Sequence, residues 1–328
     1  MPRLGIDCYV MNAGSAAGAL AALASLALDS RVAWAQAMNV YSAQGHDDPL
    51  FAMQPAARLW HLDELHRIGT GRDVRIAEID SGVDAGHPDL AGQVTLEQNF
   101  VATDPKAAER HGTAVAGIIV ARADNGVGIV GVAPEARLLA LRACEQRAQE
   151  VTVCTSLSLA LALQAAIDRD AQVVNMSLSG PTDKLVGKLL DVALARAIVV
   201  VAAADPGLAS GGFPASHRGV IGVGLGAGGD PPGAFVAAPG RDIPTTLPGA
   251  RWGVVSGSSY AAAHVSGLIA LVLELRRRPE RRDVSSRSAL LVLEPTGHID
   301  ACQTLQRAWR ECICECAASL PARSAMRP

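Results

Sequence analysis

The chain has 328 residues, 49% of them hydrophobic and 19% charged, and 29 Lys and Arg against 32 Asp and Glu give a formal net charge of -3. That size excludes a peptide-scale scaffold, and the apolar fraction excludes an intrinsically disordered chain. With no basic excess to track a phosphate backbone, a nucleic-acid partner is excluded as well.

In chain order, LGIDCYVM at 4–11 predicts a strand, the alanine-rich run at 14–28 a helix, and RVAWAQAMNVY at 31–41 a second strand. The polar stretch 42–49 predicts a linker. Continuous, β-branched-rich runs then recur at 74–79, 136–143, 171–178, 197–204 and 219–224, the pattern of strands buried on both faces. Helical patterns at 112–122, 155–169 and 182–196 lie between them. Strands alternating with helices imply right-handed crossovers and a parallel sheet, so the predicted class is α/β. No run of about eighteen apolar residues is present, and no membrane span is expected. Residues 13–28 are apolar and follow Arg3, but Asp7 upstream and Asp29 and Arg31 downstream do not suit a cleaved secretion signal.

Seven cysteines, Cys8, Cys144, Cys154, Cys302, Cys312, Cys314 and Cys316, leave at least one without a partner in the chain. Cys144 and Cys154 flank a short polar segment, a spacing that suits either a small disulfide-closed loop or two free thiols. Cys312-Ile313-Cys314-Glu315-Cys316 lacks a second ligand pair at metal-site spacing, and a loose, oxidisable tail is expected there.

In a parallel sheet, functional groups collect beyond the carboxyl ends of the strands. The run at 74–79 leads into Asp80-Ser81-Gly82, His111-Gly112-Thr113 opens a predicted helix, and Ser256-Gly257-Ser258-Ser259-Tyr260 opens another. Singly, these read as a turn former, a cap neighbour and an N-cap. Together they are the parts acyl transfer needs: a hydroxyl, an imidazole to take its proton, and a carboxylate to fix the tautomer. Asp, His, Ser is one of the known chain orders of that triad.

On these residues the chain resembles the subtilisin-like serine proteases. DSGVDAGHPDL resembles that family's Asp block, HGTAVAG its His block, NMSLSGP its substrate-binding strand and GSSYAAAHVSG its Ser block, over roughly residues 48–310. The resemblance implies a three-layer fold with a mostly parallel sheet, and a serine endopeptidase needing no cofactor for its chemistry. It makes Asp80 the orienting carboxylate, His111 the base and Ser259 the nucleophile, with Ser177, Leu178, Ser179 and Gly180 meeting an extended polypeptide substrate. His87 and His264 match structural positions of the motifs. A structural calcium is implied at Asp48, Asp89, Asn125, Val127 and Ile129, whose carboxylates, amide and carbonyls are hard oxygen donors. Residues 1–47 resemble part of an inhibitory propeptide plus linker, an intramolecular partner whose earlier half and secretion signal are missing from the sequence, as if the start were truncated. Residues 48–310 are then the peptidase domain and 311–328 a Cys-containing tail. The family implies secretion or a periplasmic location.

Three positions depart from the family pattern. Ala204-Asp205-Pro206-Gly207 stands where the family places its oxyanion-hole Asn. An ionised Asp205 would oppose the developing oxyanion and forfeit a donor bond of about 2.7–4 kcal/mol. A protonated Asp205 would donate instead, and a turn at Asp205-Pro206 would move the donor elsewhere. Ala263 replaces a usual Pro, and Ser179 replaces a Gly that lets substrate approach closely.

These departures keep one rival open, an impaired homologue that binds peptides or a protease. Two others fail on context. The Gly-rich run 224–229 is followed by Asp230-Pro231-Pro232 rather than a helix, which excludes a dinucleotide fingerprint. Ala261 sits where the elbow of an α/β-hydrolase wants Gly.

Overall fold

The computed structural model describes residues 7–11, 16–36, 45–101, 108–147, 151–225, 235–277, 290–309 and 314. Two compact units emerge, Met1–Gln44 and Gly45–Pro328.

In the first unit one helix, α1 (Ala16–Leu26), occupies the predicted helical run. The strands expected at 4–11 and 31–41 do not form at the described positions 7–11 and 31–36. A strand needs a ladder partner, and apolar alternation alone supplies none. Residues 4–6 and 37–41 lie outside the described residues.

The second unit begins with a short 3₁₀ turn (Phe51–Met53), then α2 (Pro55–Leu59) and α3 (Leu62–His66). β1 (Arg75–Asp80), β2 (Val94–Asn99), α4 (Arg110–Val120) and β3 (Arg137–Arg142) follow. A hairpin of β4 (Cys144–Gln146) and β5 (Thr152–Cys154) leads to α5 (Ser156–Asp168), β6 (Val173–Met176), α6 (Lys184–Ala195) and β7 (Val199–Ala203). The chain continues through β8 (Ile221–Gly224), β9 (Val236–Ala237), β10 (Ile243–Leu247) and β11 (Arg251–Val255) to α7 (Ser258–Arg277) and α8 (Ala301–Trp309). The five predicted strands and three predicted helices of this region are present with ends shifted by a residue or two.

Seven strands form one parallel sheet in the order β2-β3-β1-β6-β7-β8-β9. From β1 the chain first winds outward to β2 and β3, then returns to build β6 onward on the other side. Ligand crevices open where the winding reverses in this way, at the carboxyl end of β1. Helices cover both faces, giving the three-layer α/β architecture. Ile76 of β1 joins the core under α4, α7 and α8, whereas Ala77 and Ile79 join the core under α5 and α6. This alternation follows from the two-residue period of a strand. α7, at 20 residues, is long and apolar enough to span a membrane, but it is wrapped by the sheet, α4 and α8 as a core helix.

Disulfides join Cys144 to Cys154, across paired residues of the β4–β5 hairpin, and Cys302 to Cys314. The second shows Cys314 of the expected loose, oxidisable tail oxidised and held, because α8 carries Cys302 to a place where Cys314 meets it. Cys312 and Cys316 lie outside the described residues, and Cys8 is free and exposed.

Candidate active site

Asp80 is the last residue of β1 and is buried at 2% exposure. Its Oδ1 accepts the Ser81 N–H at 2.6 Å and meets His111 Nδ1 at 2.7 Å. His111 lies in the first turn of α4, and the helix can approach so closely because Gly112 follows. A Cβ there would strike the backbone of Ser81, while the Gly112 N–H reaches Ser81 Oγ at 2.9 Å. The His-Gly-Thr order is thus a packing requirement as well as a chemical one. With Nδ1 on Asp80, the other ring nitrogen of His111 is free for proton transfer. Burial pulls the His111 pKa down, but the Asp80 charge and hydrogen bond outweigh it and leave the pKa raised above 6.5.

Ser259 stands in the first turn of α7, where backbone N–H groups have no intrahelical acceptor. The next ring, Tyr260, lies against His111 with centroids 5.6 Å apart. A reciprocal pair fixes this turn to the end of β6: Ser259 Oγ donates to Ser177 O at 3.0 Å, and Ser177 Oγ donates to Ser259 O at 2.8 Å. Behind them, Asn175 Nδ2 donates to Ser177 Oγ and Ser266 Oγ donates to Asn175 Oδ1. Ser177 therefore spends its hydroxyl on holding the Ser259 turn.

The other expected substrate residues line the same edge. Gly180 bridges Phe213 through both its N–H and its C=O, so its backbone is already paired. Ser179 Oγ reaches across to Gly211 O at 3.5 Å, and a Cβ on Gly212 would strike that hydroxyl. Leu178 packs against the α5–α6 core. Asp205, two residues beyond β7, is half-buried, and its Oδ1 accepts the Gly207 N–H at 2.8 Å. The side chain closes a turn around Pro206, which has no N–H to offer.

His87 and His264 occupy packing positions. His264 is buried, holds Tyr260 O through Nδ1 and stacks edge-on with Trp60, and burial drives its pKa down to about 4. His87 Nε2 lies 2.9 Å from Arg251 O.

Sequence reasoning missed a buried ion pair beside the site. Glu109, the residue before α4, takes two bonds from Arg142 of β3 (2.9 and 3.0 Å), the Gly82 N–H at 2.6 Å and the Gln146 N–H at 2.7 Å. It ties the loop after Asp80, the start of the His111 helix and the β4–β5 hairpin together. No local pattern marks this, since Glu109 and Arg142 are 33 residues apart.

Of the residues named for calcium, Asp89 and Asn125 are joined to each other and to their neighbours by hydrogen bonds. Asp89 Oδ1 takes Asn125 Nδ2 at 3.1 Å, and its Oδ2 takes the Ile129 N–H at 3.0 Å and Trp252 Nε1 at 2.6 Å. Asn125 Oδ1 accepts the Val127 N–H. Gly128 makes room for this arrangement: at φ +60 it has no Cβ to collide with the indole and the carboxylate. Asp48, 4% exposed, accepts N–H bonds from Asp124 and Asn125.

A model of the subtilase family matches residues 71–227. Thermitase of Thermoactinomyces vulgaris is 34% identical over 239 residues, covering 69% of this chain and 84% of that protein. The chain belongs to the subtilase family. Among other subtilases, subtilisin E of Bacillus subtilis (strain 168) is 37% identical over 228 residues, 64% of this chain and 58% of that protein. An intracellular serine protease of Paenibacillus polymyxa is 33% identical over 236 residues, 66% of this chain and 71% of that protein. The chain spans little more than half the length of several relatives it matches.

Proposed function

We propose that this subtilase is a serine endopeptidase in which Ser259 is the nucleophile, His111 the general base and then acid, and Asp80 the group that holds the imidazole. The observation that carries this reading is the 2.7 Å bond from His111 Nδ1 to Asp80 Oδ1, with the Ser259 turn beside the same ring. Ser259 Oγ turns from Ser177 O to the free nitrogen of His111, gives up its proton and attacks a peptide carbonyl. The imidazolium is stabilised by Asp80 and returns the proton to the leaving amine, and water then releases the acyl group by the same route. The Ser259 N–H, in the first turn of α7, faces the developing oxyanion. The chemistry needs no cofactor.

The substrate is a polypeptide in extended form, which adds as a strand along 177–179. The first unit, residues 1–44, serves in this reading as an intramolecular inhibitor. Two intrachain disulfides favour an oxidising compartment, so the location is secreted or periplasmic.

The test is labelling of the purified chain with a fluorophosphonate probe from about pH 5 to 9, with the modified residue mapped by mass spectrometry. Labelling at Ser259, lost in Ser259→Ala, is expected. A folded chain that takes no label, even with residues 1–44 removed, would overturn the reading.

A further inference from the structure

β4 begins just after Ala143, whose N–H donates to Asp80 O at 2.9 Å. It ends at Gln146, which grips the start of the His111 helix in two ways. The Gln146 Oε1 accepts the Arg110 N–H at 2.8 Å, and the Gln146 N–H reaches Glu109 Oε1 at 2.7 Å. Arg110 is the first residue of α4, so its N–H has no acceptor within the helix, and Gln146 supplies one from outside. The hairpin is thus fastened at one end to the backbone of Asp80 and at the other to the residue before His111. Those are the two groups whose 2.7 Å contact defines the site.

By itself such a hairpin is weak. β4 and β5 have three residues each and form a two-stranded sheet of their own. Isolated pairs of this kind are marginal in water. The Cys144–Cys154 disulfide joins directly opposed residues at the base of the pair. Cys144 is buried in the core under α5 and α6, and Cys154 is followed by Thr155, whose side chain caps α5. The bond therefore ties the strand that carries Gln146 to a helix packed on the sheet, and removes freedom that the open hairpin would have. Cys154 is half-buried, which leaves one of the two sulfurs accessible to a thiol.

We propose that the Cys144–Cys154 disulfide positions His111 through Gln146, and that the chain reaches full hydrolytic activity only when this bond is formed. The inference rests on the triad reading above and adds a condition to it. A chain with both thiols reduced keeps its sheet but holds His111 loosely against Asp80 and Ser259. Bond formation balances with a disulfide oxidant such as glutathione disulfide. The Cys154 thiolate attacks it and releases one glutathione, and the Cys144 thiolate then attacks Cys154 Sγ in the mixed disulfide and releases the second. Two electrons pass from the cysteines to the oxidant, and the two protons end on the released thiols. Made in a reducing compartment, the peptidase is held back until it meets an oxidising one.

The experiment uses the full chain, oxidised with glutathione disulfide or reduced with dithiothreitol, with the state of Cys144 and Cys154 verified by mass spectrometry. The primary readout is the rate of Ser259 labelling by a small fluorophosphonate, which reports on the triad and not on a peptide held along the cleft. Reduction is expected to slow labelling by about 10- to 100-fold, the scale of loss when a reacting group is misplaced by about an ångström. Far-UV circular dichroism stays unchanged, reoxidation restores the rate, and on a peptide substrate the loss falls on kcat rather than KM. Cys154→Ser, which keeps Cys144 in its core position, is expected to label at the reduced rate and to ignore the oxidant. Gln146→Ala, with the disulfide intact, is expected to show part of the same slowing. Cys302→Ser/Cys314→Ser is expected to respond as the parent does. The proposal is overturned if reduced and oxidised parents label equally fast, if Cys154→Ser or Gln146→Ala labels like the oxidised parent, if the response disappears with Cys302 and Cys314, or if reduction unfolds the chain outright. An oxidised parent that takes no label at all is a different result: it overturns the peptidase reading, and this proposal with it.

Discussion

His111 and Ser81 share one oxygen of Asp80: Oδ1 receives the imidazole at 2.7 Å and the backbone N–H at 2.6 Å. The carboxylate is thereby fixed in the one orientation that leaves the far nitrogen of His111 open. Asp80→Asn offers an amide of the same shape that does not hold the required tautomer. We expect kcat to fall by about 10⁴. The pH profile is the sharper readout. Catalysis needs a neutral imidazole, so the rate rises with pH through the raised His111 pKa, above 6.5. Burial depresses that pKa and only Asp80 lifts it, so the residual activity of Asp80→Asn should show its acid limb at lower pH. An unmoved limb, measured as kcat/KM against pH on a peptide substrate, would mean that Asp80 does not set the charge of His111.

Asp205 closes its own turn by accepting the Gly207 N–H. Asp205→Asn keeps that acceptor and adds an N–H donor at the rim of the cleft. One oxyanion donor is worth about 100- to 1000-fold in kcat, and part of that gain is expected, about tenfold or more, with KM little changed. A variant with unaltered kcat would show that the turn at Pro206 has moved the position away from the oxyanion.

Glu109 and Arg142 hold the framework of the site from within, at 9% and 7% side-chain exposure. Burial raises the Glu109 pKa, but Arg142 and the backbone donors of Gln146 and Gly82 outweigh it, so the pKa is lowered below 4.5. A depressed folded-state pKa gives stability that is present above about pH 4.5 and is lost as pH falls through the folded value. Glu109→Gln leaves the guanidinium without its charge partner and should cost about 3–5 kcal/mol at neutral pH. The gap between parent and variant should narrow in acid, which urea unfolding near pH 7 and near pH 4 would measure. A gap of equal size at both values would assign the loss to packing instead.

Much of the frame around these residues is legible because each mark is local. β1, β6 and β7 are mostly apolar runs with Asp80, Ser177 and Asp205 at or just beyond their ends, and His111 and Ser259 open helices whose small residues are plain in sequence. What escapes reading depends on distant partners. β2 is an edge strand with a mixed burial pattern, β9 has only two residues, and β10 carries Pro244, which disguises its pairing with β11. The Trp252–Asp89 bond joins residues 163 apart, so nothing in the motif around Asp89 announces that this carboxylate also holds an indole. The apolar runs at 4–11 and 31–41 mislead for the opposite reason, since a local strand pattern says nothing about whether a neighbouring strand exists.

Glu78 is the buried group whose cost is still uncompensated. It sits on the same face of β1 as Asp80, two residues earlier, at 1% exposure, and among the described residues neither of its oxygens has a hydrogen-bond partner. Two carboxyl groups so placed do not both ionise readily. Asp80 has the imidazole and an N–H as partners, whereas Glu78 has none among the described residues. Glu78 stays protonated, its pKa raised well above 4.5 by burial and then by the Asp80 charge. A raised folded-state pKa contributes stability that is complete below about pH 4.5 and is lost as pH rises through the folded value. Glu78→Met fills similar space without the orphaned carboxyl, and should stabilise the fold at neutral pH by about 1–3 kcal/mol. It should also flatten the decline in stability toward alkaline pH, while leaving the acid limb of His111 in place because a neutral Glu78 contributes no charge to it. Chemical unfolding of parent and variant at about pH 5 and pH 9 decides the matter: a stability difference that does not grow with pH would mean that Glu78 is ionised in the fold, with a partner for its charge.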